Sequence, residues 1–423
     1  MSFMKNDLLR KRGTCRLCDS RSLELVLSLP ACPPVDAFCR ESETASALPY
    51  FPMDLFLCLD CGHAQLLHVV RPDILFGNYI YTSSSSPDLD SHFDSYVVFL
   101  SERLGLRSRS KLVDIGSNDG LFLSKAQRFG ASVLGVDASV SVSEVAEKRG
   151  VPTLVGFFDA AVADRILSDF GQADFVTANN VFSHSDDLRG FAKSALSLLK
   201  PDGIFVFEVS YLMSLVNDLV VDYIYHEHLA HHSVKPLVSF FDSIGGKLID
   251  VIPVGTKGGS IRCVVAPKDS PHKVEDSVGA YIDRETKAGL YELGTYRRLN
   301  ASFRSLINEC VSVIDTLTEN GEVLSSYGAS ATATVLNEFL GISGRLSFIV
   351  DDNPARQGLF SPGHAIPICD RDHLTAVGGI SVISSWRFAD MIIAKNQPFL
   401  LRGGCFFVPL PVPRIVTLEG SGG

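Results

Sequence analysis

Two cysteine pairs, Cys15-Arg-Leu-Cys18 and Cys58-Leu-Asp-Cys61, stand 39 residues apart near the start of the chain. Two intervening residues let a tight turn aim both sulfurs at one ion, and Gly62 follows where a metal knuckle wants a residue tolerant of positive φ. Four thiolates favour structural Zn²⁺ in a closed tetrahedral site. The competing reading is two unrelated turns with buried cysteines. The other six (Cys32, Cys39, Cys263, Cys310, Cys369, Cys405) are scattered and read as small apolar core residues, with His63 and His68 as bystanders. A zinc knuckle can also grip nucleic acid, but only Arg21 and Arg40 are basic between Cys18 and Cys61. A structural lid or substrate-binding module fits better.

A second constellation is the loop Asp114-Ile-Gly116-Ser117-Asn118-Asp119-Gly120. Its glycines form GxxxG rather than the GxGxxG that lets backbone approach a pyrophosphate. Asn118 and Asp119 stand where a pyrophosphate wants bare backbone and no negative charge. S-adenosylmethionine has no phosphate, and acidic neighbours favour its sulfonium and ammonium groups. Asp137, nineteen residues beyond Asn118, ends the next strand, where a carboxylate can accept both ribose hydroxyls. Asn179-Asn180 close a later strand at the same edge. In Gly156-Phe-Phe-Asp159, Phe158 and Asp159 are candidates to border adenine, with a core aromatic pair as the alternative.

The third is Tyr225-His226-Glu227-His228-Leu-Ala-His231-His232-Ser233. A neutral imidazole, with a pKa of about 6.5, suits proton abstraction, and Glu227 could orient such a base or raise its pKa. A metal site lacks the HExxH spacing here; structural histidines are the remaining alternative. Upstream, Tyr79-Ile-Tyr81-Thr-Ser83-Ser84-Ser85-Ser86-Pro87 reads as an ordered loop closing over a site, or as a flexible linker.

The elements that must hold these groups alternate in type. Apolar runs at 111–115, 133–137, 173–179 and 203–208 are separated by helical periodicity at 141–149 and 186–200, which predicts parallel strands with right-handed crossovers. A charged helical stretch at 276–320 precedes a second such pattern, with strand signals at 322–327, 346–350, 381–384 and 405–409. The chain has 423 residues, 46% hydrophobic and 20% charged, which excludes extended disorder and favours two or three domains. A net charge of -10 argues against a nucleic-acid binder. The N-terminal stretch lacks the apolar run of a secretory signal and no stretch is long enough to span a bilayer, so a cytoplasmic protein with no membrane partner is expected.

End to end, these strings resemble the nucleotide-sugar C-methyltransferases, which add methyl branches to 4-keto deoxysugars. The resemblance runs through the double CxxC, Tyr79-x-Tyr81-x-Ser83, Ile115-Gly-Ser-Asn-Asp-Gly120, Ala178-Asn-Asn-Val181, Ile224-Tyr-His-Glu-His-Leu229 and Gly258-Gly-Ser-Ile-Arg262. It continues through Tyr327-Gly-Ala329, Asp351-Asp-Asn-Pro-Ala-Arg-Gln-Gly358 and Trp386-Arg-Phe-Ala-Asp390. It implies an α/β chain in three parts: a zinc-binding module at 1–70, a Rossmann-like methyltransferase domain at 71–275, and a C-terminal Rossmann-like domain at 276–423 that helps bind the nucleotide sugar. His228 would be the base that deprotonates sugar C3 beside the C4 ketone. Tyr79 would stand at the reacting centre, with Tyr225, His226 and Glu227 as neighbours of the base. Cys15, Cys18, Cys58 and Cys61 would hold zinc. Gly116, Ser117, Asn118, Gly120, Asp137, Phe158, Asn179 and Asn180 would hold S-adenosylmethionine. The expected partner is a nucleotide-linked keto sugar, with dTDP favoured over GDP and CDP, and the chain is expected to be a monomer or weak oligomer.

Three features depart from the family's pattern. His231 and His232 replace an aromatic pair, residues 328–333 lack a lysine, and Asp352 stands for an arginine; all bear on the sugar, nucleotide and phosphate contacts. The other readings are a nicotinamide oxidoreductase or epimerase of similar sugars, against which the loop counts, and a non-catalytic zinc- and nucleotide-binding protein.

Overall fold

The structure is a computed structural model that describes residues 8–76 and 82–418. Nineteen strands are assigned in chain order among these residues. In the N-terminal part β1 (Leu9–Lys11) pairs with β5 (His68–Val70), while β2 (Leu23–Leu27), β3 (Leu55–Cys58) and β4 (Ala64–Leu66) form an antiparallel sheet. The fourth strand of that sheet comes from the histidine segment: β11 (Ala230–His231) lies against β4, with Ala230 opposite Gln65 and His231 opposite Ala64. Strand pairing thus joins the cysteine module to a segment more than 160 residues away.

The central sheet has seven strands in the order β12-β13-β10-β9-β6-β7-β8. Their ranges are β6 Lys111–Ile115, β7 Ser132–Asp137, β8 Thr153–Val155, β9 Ala173–Asn179, β10 Leu199–Ser210, β12 Gly246–Val254 and β13 Ser260–Pro267. From β8 to β10 the strands are parallel, as the alternation predicts; β12 and β13 add an antiparallel edge. The chain moves from β6 to β7 and β8 on one side, then returns to β9 on the other. The gap between β6 and β9 is the crevice where such sheets bind ligands. Buried runs such as Leu112-Val113 and Phe205-Val206-Phe207 keep both faces of the sheet in the core.

The C-terminal sheet repeats this winding with the order β16-β15-β14-β17-β18-β19. It comprises β14 Leu324–Tyr327, β15 Phe348–Val350, β16 Ile368–Cys369, β17 Ile380–Ile383, β18 Cys405–Val408 and β19 Arg414–Val416. Helix Leu293–Leu317 bridges two regions because its apolar positions recur at helical spacing. Tyr296, Leu299 and Phe303 pack with Val26 and Leu27 of the cysteine module, whereas Cys310 and Ile314 enter the C-terminal core. No helix among the described residues is long and apolar enough to cross a membrane.

Candidate functional site

The four paired cysteines meet. Cys15 and Cys18 sit on a turn closed by the Asp19 N–H donating to the Cys15 carbonyl, and Cys58 ends β3. Gly62 has φ of 82° and donates to the Cys58 carbonyl; a Cβ there would strike the Tyr291 ring at 2.3 Å. The four Sγ atoms lie within 4.8 Å of one another, with Cys15–Cys61 and Cys18–Cys58 each 3.6 Å apart. A zinc tetrahedron with ~2.3 Å bonds has edges of about 3.8 Å, so the donor set fits the ion. A hydrogen bond from Cys61 pulls the Cys15 thiol down to about 5, and the same bond pushes Cys61 upward. Thiols alone thus stabilise one thiolate at the expense of its neighbour, and a divalent cation relieves that competition. His63 and His68 contribute no atom to the cluster, and Cys32, Cys263 and Cys310 are buried as expected.

The module grips the central sheet beside this site. Arg16, between the first two cysteines, is buried and donates to Gln65 and to the Leu66 carbonyl. Arg16 and Arg12 both reach Asp186, at 3.0 and 3.4 Å, and Arg10 also pairs with it.

The cofactor loop leaves β6 at the crevice. Gly116 and Gly120 are left-handed, with φ of 72° and 71°, and a Cβ on Gly116 would lie 2.2 Å from Val181. Asp137 builds this loop as well as facing it. Its carboxylate oxygens accept from the Asn118 and Ser139 N–H groups, each at 2.9 Å, and retain lone pairs for further donors. Ser117 is buried, its hydroxyl in the space left by the missing side chain of Gly135. Asn179 donates to Asp114 at 3.3 Å, while its buried carbonyl oxygen has no donor among the described residues and suits an ammonium group. Asn180, at φ 57°, is fixed by its N–H to the Glu208 carbonyl. The residues present therefore fit S-adenosylmethionine.

Two neighbours of the loop differ from expectation. Asp119 is buried and turned inward, accepting from Ser84 and pairing with Arg149 at 3.4 Å, so it offers no charge to a ligand. Phe158 packs against the core, its ring edge-on to Phe191 at 5.2 Å, while Asp159 caps the helix Ala160–Asp169. Phe157 is the exposed member of the pair. The serine run is ordered where described: the Ser83 N–H donates to Asn118 at 2.8 Å and that of Ser84 to Asp119 at 3.1 Å. Tyr79 and Tyr81 lie outside the described residues.

The histidine string splits in purpose. His228 Nδ1 lies 2.7 Å from the Tyr223 carbonyl, an acceptor only, so Nδ1 carries the proton and Nε2 keeps the basic lone pair. Tyr225 lies over this ring at 4.0 Å between centroids, and His184 stacks on it at 5.2 Å. Glu227 does not orient the His228 ring as the sequence suggested; the Tyr223 carbonyl does. Nor is its pKa raised: burial lowers His228 to about 4, and Lys257 adds to this. Glu227 is itself buried and pushed well above the usual carboxylate range, with Asp36 adding repulsion. Burial also raises Asp36, which Arg356 and Lys257 oppose, so charges from all parts of the chain converge here. Lys257 occupies the turn between β12 and β13 at φ 57°, beside Gly258 and Gly259, and lines a small cavity with Tyr223 and His231. His184 and Lys257 escaped the sequence reading. Only the position of His184, five residues past the strand end at Asn179, hinted at it.

His226 and His232 face elsewhere. His226 donates through Nε2 to the Phe51 carbonyl at 3.1 Å, tying the string to the cysteine module. Arg262 of the GGSIR string forms a buried fork with Glu208 at 2.6 and 2.8 Å. His232 is fully buried and stacked on Phe182 at 5.3 Å, with neither ring nitrogen partnered among the described residues. Burial lowers it to about 3. Its folded value lies below the unfolded one of about 6.5, so folding loses stability as pH falls through that window. His232→Phe should raise stability by about 1–3 kcal/mol and flatten the fall in melting temperature between pH 7.5 and 5.5. Scanning calorimetry at both pH values checks this; an unchanged pH slope would count against it.

The comparisons with known proteins agree with this geometry. Three family models match in succession: "Putative zinc binding domain" over residues 15–76, "Methyltransferase domain" over 89–245, and "C-methyltransferase C-terminal domain" over 255–411. The C-methyltransferase NovU of Streptomyces niveus is 31% identical over 98% of this chain and 99% of its own. A ubiquinone biosynthesis O-methyltransferase of Pelagibacter ubique is 33% identical, over 22% of this chain and 39% of its own. Among solved structures, an SAM-dependent methyltransferase from Geobacter sulfurreducens with S-adenosyl-L-homocysteine is 14% identical, covering 45% of this chain and 95% of that one, with a TM-score of 0.33. A relative matched along its whole length, with the methyltransferase and zinc-binding families in register, leaves no place for the oxidoreductase or non-catalytic readings: the chain belongs to the S-adenosylmethionine-dependent C-methyltransferases that carry an N-terminal zinc-binding module.

Proposed function

We propose that the protein methylates C3 of a nucleotide-linked 4-keto deoxysugar, with dTDP as the favoured nucleotide, through an enolate generated by His228. The observation that carries this reading is the hydrogen bond from His228 Nδ1 to the Tyr223 carbonyl, which leaves Nε2 basic and the ring neutral at pH 7. A proton next to a ketone is acidic enough for an imidazole to remove when the developing oxyanion is stabilised. Lys257 supplies positive charge that His228 senses, and burial pushes the Glu227 carboxyl toward its protonated form, in which it can donate a hydrogen bond. Tyr225 covers one side of the imidazole and limits its rotation, while His226 braces the string against Phe51. Tyr79 is assigned to the same centre by its place in the family motif. S-adenosylmethionine, when bound, supplies the electrophilic methyl group; Gly116, Ser117, Asn118, Gly120, Asp137, Asn179 and Asn180 would hold it, with Phe158 supporting that wall from the core. Zinc on Cys15, Cys18, Cys58 and Cys61 would cross-link the module and takes no part in proton transfer.

The division of labour follows residues 1–70, 71–275 and 276–423, with the last unit contributing to the sugar nucleotide. Mass spectrometry after incubation with S-adenosylmethionine and a panel of TDP-, GDP- and CDP-linked 4-keto sugars tests this. A TDP-sugar should gain one methyl group. Failure of every sugar, with S-adenosylhomocysteine still bound by calorimetry, would remove the substrate assignment.

A further inference from the structure

The string Trp386-Arg-Phe-Ala-Asp390 follows β17 in the C-terminal unit, as a 3₁₀ turn Trp386–Phe388 leading into the helix Ala389–Lys395, far in sequence from the methyl-transfer residues. Its first two side chains nevertheless converge on Asp222. Arg387 Nη1 and Nη2 reach the two carboxylate oxygens at 2.8 and 2.9 Å, and Trp386 Nε1 donates to one of them at 3.0 Å. Asp222 has no exposed surface, so these three donors replace its water. The guanidinium also stacks over Tyr223 at 4.7 Å from the ring centre. Val221, on the other side of Asp222, packs with Val335 and Phe339 of a C-terminal helix.

The turn Val221–Tyr223 is therefore seated on the C-terminal unit through each of its three residues. That turn presents the carbonyl that takes the His228 Nδ1 proton at 2.7 Å. We infer that Arg387, assisted by Trp386, is a positioning residue for methyl transfer: it anchors Asp222, and thereby holds the Tyr223 carbonyl that fixes the His228 tautomer. The inference rests on His228 as the base. Without the fork, a carboxylate stripped of its partners would turn toward water and carry the adjacent peptide with it. His228 would then be free to place its proton on Nε2, which removes the basic lone pair from the reacting side. A lysine could not replace the fork, because the planar guanidinium satisfies both oxygens at once.

The test uses full-length protein labelled with ¹⁵N-histidine. Long-range ¹H–¹⁵N correlation reports each ring's tautomer, and the His228 signals are those missing from His228→Asn. The wild-type chain should show a single Nδ1–H form. Arg387→Met should give a mixture of both forms, lower turnover of a TDP-linked 4-keto sugar by about 10- to 100-fold, and leave S-adenosylhomocysteine affinity within about twofold. A folded Arg387→Met chain with one unchanged His228 tautomer overturns the inference. Should that variant fail to fold, Arg387→Lys keeps the charge and loses the planar fork; an unchanged single His228 tautomer there overturns it equally. The base assignment fails separately: His228→Asn would retain solvent exchange at the sugar carbon, whatever the tautomer of the wild-type ring.

Discussion

His228→Ala should abolish methyl transfer and solvent deuterium exchange at sugar C3, while S-adenosylhomocysteine binds as in the wild type. Both reactions begin with removal of the same proton, so they should fall together by about 10²–10⁴-fold, the usual contribution of a general base. Cofactor affinity should survive because the cradle is built from loops after β6, β7 and β9, whereas the His228 ring is held by the Tyr223 carbonyl. The pH profile carries a second signature. A base must be neutral to act, and burial lowers His228 to about 4. Activity should thus persist well below the pKa of about 6.5 of a solvated imidazole and decline as pH falls through the lowered value. Exchange at the wild-type rate in the alanine variant, followed by NMR in D₂O, would assign the proton to another group.

Cys58→Ser should lower zinc content and reduce the melting temperature by about 5–15 °C, because ion binding to a closed thiolate site is folding free energy. The consequence should reach activity as well. Cys58 ends β3, β3 pairs with β4, and β4 pairs with β11, whose His231 stands three residues beyond His228. Loss of the ion frees the Cys15–Cys18 turn that carries Arg16 to Asp186, two residues beyond His184. Elemental analysis and calorimetry check both parts, and full metal content in the serine variant would refute the four-thiolate site.

Much of this protein is written locally in its sequence. The CxxC pairs, the strand-loop-helix at Gly116–Gly120 and the alternating apolar runs depend on spacings of a few residues, which backbone geometry reads directly. The wound α/β sheets were legible for that reason, as was the meeting of four cysteines. Local spacing did not disclose the directions of side chains. Phe157 and Phe158 are adjacent and equally aromatic, yet only Phe158 packs into the core. Glu227 stands beside His228 in sequence, yet the partner of the imidazole is a backbone carbonyl five residues back, which no side-chain pattern encodes.

Farther contacts are less legible still. The pairing of β11 with β4, the fork from Arg387 to Asp222 and the stacking of His184 on His228 join segments separated by about 44 to 166 residues. The sequence by itself determined the chemistry available to this protein: thiolates for a metal, a loop for a methyl donor, and a histidine string with a candidate base. Tertiary structure decided which histidine is braced, which is buried and which keeps a lone pair. Periodicity specifies the local backbone, whereas packing between distant elements decides where each ring nitrogen finds its partner.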